Sequence, residues 1–426
     1  MLVSVPITQK SLADYEIFVE PGAIHNLREL AGELAGDRVL HVNATAFGGG
    51  VAELLYTLVP LMQDAGLIAD WKVIQGSEEF FSVTKIMHNS LQGMDIPVTD
   101  QMKKIYEHHN LANAKMMVGE YDYVVVHDPQ PAALPYFLKN HRALGKKWIW
   151  RCHLDLTKLS RDLWDYLMPF IQVYDAVVFT SPTYVHEHAA EMPPCTFITP
   201  TIDPLSPKNT PLDDQTVART LRKYHINPER PLLTQVSRYD PWKDPLGVID
   251  AYKLVKAKVP DAMLLLAASM ASDDPESWHY YEKTARHAGE DPDIFLLSNL
   301  QGVGNMEINA FQRGSTVVVQ KSLQEGFGLT VTEALWKEKP VVGGNVGGIV
   351  LQIEDGVNGF LVDSVESCAK KMLYLIEHEQ ERRRMGGAGR AKVRETFLST
   401  SNLEAYLNLF RGLAVAERRH EKERTA

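Results

Sequence analysis

The sequence predicts an α/β fold of two doubly wound domains, and three observations carry that prediction. Short β-branched, apolar runs alternate with stretches of helical spacing along most of the chain. The 426 residues are too many for one ordinary core, so two domains with a cleft between them are expected. Pro200 to Asp214, rich in Pro, Asp, Ser and Asn, separates two series of such runs and reads as a hinge or linker.

The first series is Val39 to Asn43, Trp71 to Ile74, Tyr123 to His127, Lys147 to Arg151, Ala176 to Thr180 and Thr196 to Thr199, read as strands of one parallel sheet. The second is Leu232 to Val236, Ala262 to Ala267, Ile294 to Leu297, Thr316 to Gln320, Pro340 to Gly343 and Gly359 to Val362. Ligands of such sheets bind beyond the carboxyl ends of the strands, so the loops there are the candidates for function. The tail from Glu417 to Ala426 is almost wholly charged or small and is expected to be a frayed end.

Composition excludes several classes. A formal charge of −10 is spread along the chain, which gives no electrostatic footprint for nucleic acid or an anionic membrane. Cys152, Cys195 and Cys368 are too few and too scattered for a disulfide framework or a zinc cluster. Met1 to Lys10 lacks a basic region followed by an apolar one, and no uncharged stretch is long enough to span a bilayer. A soluble cytoplasmic enzyme is expected.

The most informative motif is Glu325-Gly-Phe-Gly-Leu-Thr-Val-Thr-Glu333. The run before it reads as a buried strand, and Thr330 to Lys337 keeps helical spacing with Val331, Ala334 and Leu335 inward, so Gly326 and Gly328 sit where a strand turns into a helix. Glycines there admit a ligand close to the backbone, and the free N–H groups of the helix start favour phosphate or polarised oxygens. Glu325 in the turn suits sugar hydroxyls. Glu333, placed in the first helical turn, suits ribose hydroxyls. The same residues also read as a helix with a Gly-rich lead-in and a surface Glu.

Gln235-Val-Ser-Arg-Tyr-Asp-Pro-Trp-Lys243 follows the first strand of the second series, so Arg238 and Lys243 emerge at its carboxyl end. A guanidinium fork and an ammonium in one loop suit a diphosphate and the charge that develops as it leaves. A solvated loop with Trp242 packed beneath it is the other reading. In the first series, Phe47-Gly-Gly-Gly-Val-Ala-Glu53 follows a strand and opens a helix without the Gly-x-Gly-x-x-Gly spacing. His127-Asp-Pro-Gln-Pro-Ala132 and Arg151-Cys-His-Leu-Asp155 end two further strands on the same side. Lys85, His88, Asn89 and Gln92 recur at helical spacing as one polar stripe, with Phe80 and Phe81 upstream, which is either a solvated face or a carbohydrate acceptor pocket.

Together, the Glu325 to Glu333 motif, the Arg238 and Lys243 loop, Gly48 to Gly50, His153, Val346-Gly-Gly-Ile and Asp355-Gly-Val-Asn-Gly359 resemble the retaining GT-B glycosyltransferases of family four. His41-Val-Asn-Ala-Thr-Ala-Phe-Gly-Gly-Gly50, Val126 to Ala132, Trp150 to Asp155, Ser237 to Lys243 and Asp273-Asp-Pro-Glu276 resemble the trehalose glycosyltransferring synthases within it. The likeness runs from about Leu12 to Phe410. Leu351 stands where many of the wider family have Glu, and Pro200-Thr-Ile-Asp203 replaces an Asn-Gly-containing linker.

The resemblance implies two Rossmann-like domains, at 1–205 and 215–399, with a last helix at about 400–413 crossing back to the first. It implies transfer of α-glucose from a nucleoside diphosphate to free glucose, giving α,α-trehalose with retention. By position, His153, Glu325, Arg238 and Lys243 would be catalytic. Gly49, Gly50, Leu300, Gly326, Phe327, Gly328, Leu329 and Glu333 would join Arg238, Lys243 and Glu325 in holding the donor. The stripe with Asp128 and Gln130 would take the acceptor. A front-face mechanism is implied, with no metal or other cofactor required and Mg²⁺ a stimulant at most. The partners are NDP-glucose, glucose and trehalose, and a homodimer is admitted. Trehalose phosphorylases, sucrose-forming or sugar-phosphate-forming relatives, and a non-catalytic sugar-nucleotide sensor remain as alternatives.

Overall fold

The computed structural model describes residues 1–47, 49–185, 192–270 and 275–425, with side chains for all but 275, 276 and 417–425. Gly48 and the Asp273 and Asp274 of the expected motifs lie outside these residues. The chain divides into two compact units, Met1–Thr201 with Ser399–Ala426, and Ile202–Leu398.

The first unit holds a sheet of β1 (Val3–Ser4), β2 (Arg38–Asn43), β3 (Ile68–Val73), β4 (Tyr121–His127), β5 (Gly145–Arg151), β6 (Ala176–Phe179) and β7 (Cys195–Phe197). Their order is β1-β3-β2-β4-β5-β6-β7. The expected strands are present with shifted ends, Trp71 to Ile74 becoming Ile68–Val73 and Thr196 to Thr199 becoming Cys195–Phe197. The sheet departs from the expected wholly parallel form, because β1 pairs antiparallel to β3. Two residues without apolar periodicity give no strand signal, and only the neighbouring edge supplies the pairing.

Alternation along these strands sorts the side chains into two layers. Leu40, Val42, Val124, Val126, Trp148 and Trp150 enter one core. Val39, His41, Tyr123, Val125, His127, Ile149 and Arg151 are buried on the other face. The helix Gly50–Asp64 and the C-terminal helix Ser399–Thr425 pack together on this side, with Tyr123 donating to the Phe410 carbonyl at 3.1 Å. The last helix starts where expected, but its backbone stays helical to Thr425, so the charged tail extends it.

The second unit holds β8 (Leu232–Arg238), β9 (Met263–Ser269), β10 (Ile294–Ser298), β11 (Val317–Gln320), β12 (Val341–Gly344) and β13 (Gly359–Val362). All are parallel, in the order β10-β9-β8-β11-β12-β13. Leu264 and Leu266 meet one helical layer while Met263, Leu265 and Ala267 meet the other, which is why these strands read as unbroken apolar runs. Strand order reverses between β8 and β11 here, and between β2 and β4 in the first unit. A ligand crevice opens at such switch points.

The Pro200 to Asp214 segment differs from a free tether. Asn209 is buried, donating to the Asp203 carbonyl at 2.9 Å and accepting from Lys337 Nζ at 2.9 Å. Asn309 Nδ2 donates to the carbonyls of Pro207 at 2.9 Å and Thr210 at 2.8 Å. The chain passes between units at Thr201–Ile202 and at Leu398–Ser399, and the Ile202 N–H donates to the Phe397 carbonyl at 2.9 Å, so the two passages run side by side.

Candidate active site

In the second unit the loop after β8 is shaped by its own acid. Asp240 Oδ1 accepts from the Lys243 N–H at 3.1 Å, and Gln235 Nε2 donates to the Lys243 carbonyl at 2.7 Å. This fixes a 3₁₀ turn, Pro241–Lys243, that aims Lys243 across to the loop after β11. There Lys243 Nζ lies 2.6 Å from Glu325 Oε2, and the two side chains are 13% and 10% exposed. Ser322 Oγ and Gln320 Nε2 lie 3.3 and 3.5 Å from the same oxygen. Two residues assigned separately, one to phosphate and one to sugar, thus form a single ion pair at the switch point. Arg238 is exposed beside it and pairs with Asp240 at 3.0 Å.

Close glycine contacts seat the Glu325 turn. A Cβ on Gly348 would lie 2.3 Å from Phe327 Cα, and one on Gly344 would lie 2.2 Å from the Ser322 carbonyl. Gly348 N–H donates to the Glu325 carbonyl at 3.1 Å, while Gln352 Nε2 donates to the carbonyls of Phe327 at 2.5 Å and Gly348 at 3.1 Å. Gly328 takes φ 83°, a left-handed conformation that ends the turn and starts the helix Leu329–Trp336. Val331, Ala334 and Leu335 are fully buried, the inward face expected. Leu300, in the turn after β10, is 62% exposed.

Glu333 requires a correction. Because the helix begins at Leu329, Glu333 is its fifth residue, beyond the first turn, and it is fully buried. Lys208 Nζ lies 3.3 Å from Oε1, yet neither carboxylate oxygen accepts a hydrogen bond among the described residues. The surface-Glu reading is thereby excluded. Lys208, Lys321, Ser322 and Gln320 were not singled out from the sequence, although Lys321 is buried and ion-paired with Asp244. A cation directly after an apolar strand was the available clue.

In the first unit, Gly49 precedes the helix Gly50–Asp64 in extended backbone, and a Cβ there would meet nothing within 4 Å. Neither dihedral nor packing demands glycine at that position. At the end of β4, Asp128 adopts φ 65° and its Oδ1 accepts the His153 backbone N–H at 2.8 Å. Burial pushes its carboxyl up to about 6. Asp128, expected in the acceptor set, also fixes the His153 loop through Oδ1. Gln130 Oε1 is buried without a hydrogen bond among the described residues.

His153 is half-buried, with its Nε2 3.1 Å from His127 Nδ1. Burial and the Arg151 charge hold it well below the usual histidine value. The polar stripe lies on the helix Glu78–Leu91 and at its C-cap; Asn89 and Gln92 are buried, and Lys85 and His88 are half-buried. It is not a solvated face. Ser160 N–H donates to the Ser90 carbonyl at 3.2 Å, which ties the end of this helix to the loop that follows His153. Among the described residues, no group of three or more His, Cys, Asp or Glu is placed to hold a metal ion, and no helix is long and apolar enough to cross a membrane.

Comparison with known proteins agrees with this geometry. Residues 41–186 match the family described as "Trehalose synthase, N-terminal domain", and residues 217–392 match "Glycosyl transferases group 1". The chain is 49% identical to a trehalose synthase of Rubrobacter xylanophilus over 96% of this chain and 99% of that protein. It is 48% identical to a trehalose synthase of Thermococcus litoralis over 94% and 96%. An α,α-trehalose 6-phosphate synthase from Burkholderia multivorans has the same fold, with TM-score 0.69, 15% identity and coverage of 90% of this chain and 100% of that one. The chain therefore belongs to the trehalose synthase family of group 1 glycosyltransferases, with the two-domain GT-B fold.

Proposed function

We propose that this protein is a retaining glucosyltransferase that moves α-glucose from a nucleoside diphosphate to the anomeric hydroxyl of free glucose, forming α,α-trehalose. The observation that carries the reading is the Lys243–Glu325 pair at the switch point of the second sheet, in a chain of this family. In this reading Lys243 and Arg238 bind the diphosphate, and their charge counters the negative charge that grows as the C1–O bond to phosphate breaks. Lys243 also anchors Glu325, leaving that carboxylate and the Gly326 to Leu329 backbone to accept and donate to the glucose hydroxyls. Glu333, whose oxygens lack hydrogen bonds among the described residues, takes the ribose.

Gly49 and Gly50 approach the diphosphate, and Leu300 stands by the base. Asn89, Lys85, His88 and Gln130 read the acceptor. The new C1–O bond forms on the face the phosphate leaves, and the departing phosphate oxygen takes the acceptor's proton. Glu325 and Glu333 do not form a glycosidase pair, since one is tied to Lys243 and the other lies inside the helix packing. The protein's own cations supply the charge, with Mg²⁺ at most a stimulant.

The test incubates the protein with glucose and UDP-, ADP- or GDP-glucose in parallel and identifies the disaccharide by NMR. Trehalose linked α,α is expected from at least one donor. Glucose 1-phosphate from trehalose and phosphate, with no reaction of any sugar nucleotide, would replace this reading with phosphorolysis.

A further inference from the structure

Three imidazoles are strung through the first unit. His41 Nδ1 lies 2.9 Å from His127 Nε2, and His127 Nδ1 lies 3.1 Å from His153 Nε2. His127 and His153 stack with ring centroids 5.4 Å apart and 15° between planes, while His41 and His127 are tilted by 32° at 5.2 Å. His41 and His127 are buried and His153 reaches the half-exposed end of β5. Strand alternation explains the first two, because His41 and His127 occupy the same face of neighbouring parallel strands.

Charge fixes what such a row can do. Burial pushes His41 down to about 3 and His127 and His153 well below the usual histidine value, with Arg151 adding its charge against the latter two. Arg151 is itself fully buried and bonded to the Ile198 carbonyl at 2.6 Å, so its charge cannot swing away. Asp128 is the facing acid, and burial raises its carboxyl toward the neutral form. The row is therefore neutral at physiological pH. A neutral imidazole has one N–H and one lone pair, so the direction of one hydrogen bond dictates the other.

Only two directions exist. If His153 donates inward, the row ends in a buried N–H at His41 Nε2, an atom with no hydrogen-bond partner among the described residues. If His41 donates outward, the row ends there in a bare lone pair. Unpaired buried acceptors are the more tolerated of the two. We propose that His41 and His127 are positioning residues that hold His153 in the Nδ1–H tautomer, making its remaining nitrogen a fixed hydrogen-bond donor to a sugar hydroxyl. The role of the donor rests on the glucosyl-transfer reading; the tautomer does not. A nitrogen that carries its proton cannot take one from water, so the row also disfavours hydrolysis of the bound sugar nucleotide.

The experiment records two-bond ¹H–¹⁵N imidazole correlations on the ¹⁵N-histidine-labelled full chain at neutral pH, with His153→Gln used for assignment. The expected spectrum has His153 protonated at Nδ1 and bare at Nε2. In His127→Phe the His153 pattern should shift toward Nε2–H, glucosyl transfer should fall by about tenfold, the scale of one lost hydrogen bond, and the hydrolysed share of donor should rise with donor KM nearly constant. His127→Asn, whose amide can stand in for Nδ1–H, should restore both. A wild-type His153 protonated at Nε2, or a His153 signal unmoved in a folded His127→Phe protein, overturns the proposal. Should His127→Phe fail to fold, the wild-type spectrum alone decides. Absence of turnover with every sugar nucleotide would overturn the glucosyl-transfer reading only, because the tautomer is read in the free protein.

Discussion

Replacing Lys243 with Met separates catalysis from stability, because the proposed function gives this residue a part in the first and its ion pair with Glu325 a part in the second. Its Nζ lies 2.6 Å from Glu325 Oε2 with both side chains about nine-tenths hidden. Removing the cation leaves a carboxylate without its counter-charge, with Ser322 and Gln320 at 3.3 and 3.5 Å. Stripping one partner from a buried pair costs about 3–5 kcal/mol, and the residual exposure places this pair near the lower end. Losing a donor to a leaving group costs a further factor of about 10² to 10³ in turnover. Lys243→Met should therefore lower the urea midpoint and abolish most single-turnover transfer. Adding Glu325→Gln removes the stranded charge, so the double variant should regain most of the stability and none of the rate. Urea denaturation and quenched single-turnover assays on the four proteins of the cycle measure both quantities. Turnover within threefold of wild type in Lys243→Met, or a double variant that recovers its rate along with its stability, would refute the assignment.

Glu333→Gln should raise the KM for the nucleotide sugar about tenfold with turnover nearly constant, since a ribose contact is alike in ground and transition states; initial-rate kinetics decide it. Asn89→Ala should weaken glucose use by about tenfold while nucleotide binding, followed by calorimetry, stays intact. Gly348→Ala forces a Cβ to 2.3 Å from Phe327 Cα and should cut transfer by more than about tenfold with a lowered melting temperature. The pH response contains opposed contributions. The depressed histidines favour the fold above their ordinary value of 6.5 and lose that contribution as pH falls below it, His41 as far as about 3. Asp128, raised from 3.8 to about 6, contributes most below 3.8 and loses it as pH rises through 6. With three histidines against one aspartate, thermal melts should show stability falling on acidification from pH 7 to 4. Asp128→Asn, which keeps the acceptor for His153, should fall more steeply.

Much of the fold was legible because buried parallel strands announce themselves. Leu264, Leu265 and Leu266 are apolar in succession only because both faces of β9 are covered. β1 was illegible for the opposite reason: two edge residues carry no pattern of their own. The positions of Lys243, Glu325 and His153 beyond strand ends were legible from pattern and motif. Their couplings were not, since the pairing of Lys243 with Glu325 spans 82 positions and depends on β8 and β11 being neighbours. Glu333 misled because the motif does not reveal where the helix starts. His41 looked like one strand residue among others until alternation set it on the same face as His127.

The two adjacent passages of the chain between units have a consequence for biosynthesis. Ile202–Leu398 is in effect a complete domain inserted into another, so it can close as soon as Leu398 has left the ribosome. The first unit cannot. Its sheet face bearing Tyr123 waits for Leu403, Tyr406, Leu407 and Phe410, all buried and all later in the chain than the whole second unit. During that interval the nascent protein carries a finished second unit and a sheet face that lacks part of its cover. Although most of it is made earlier, the first unit thus completes its fold after the second.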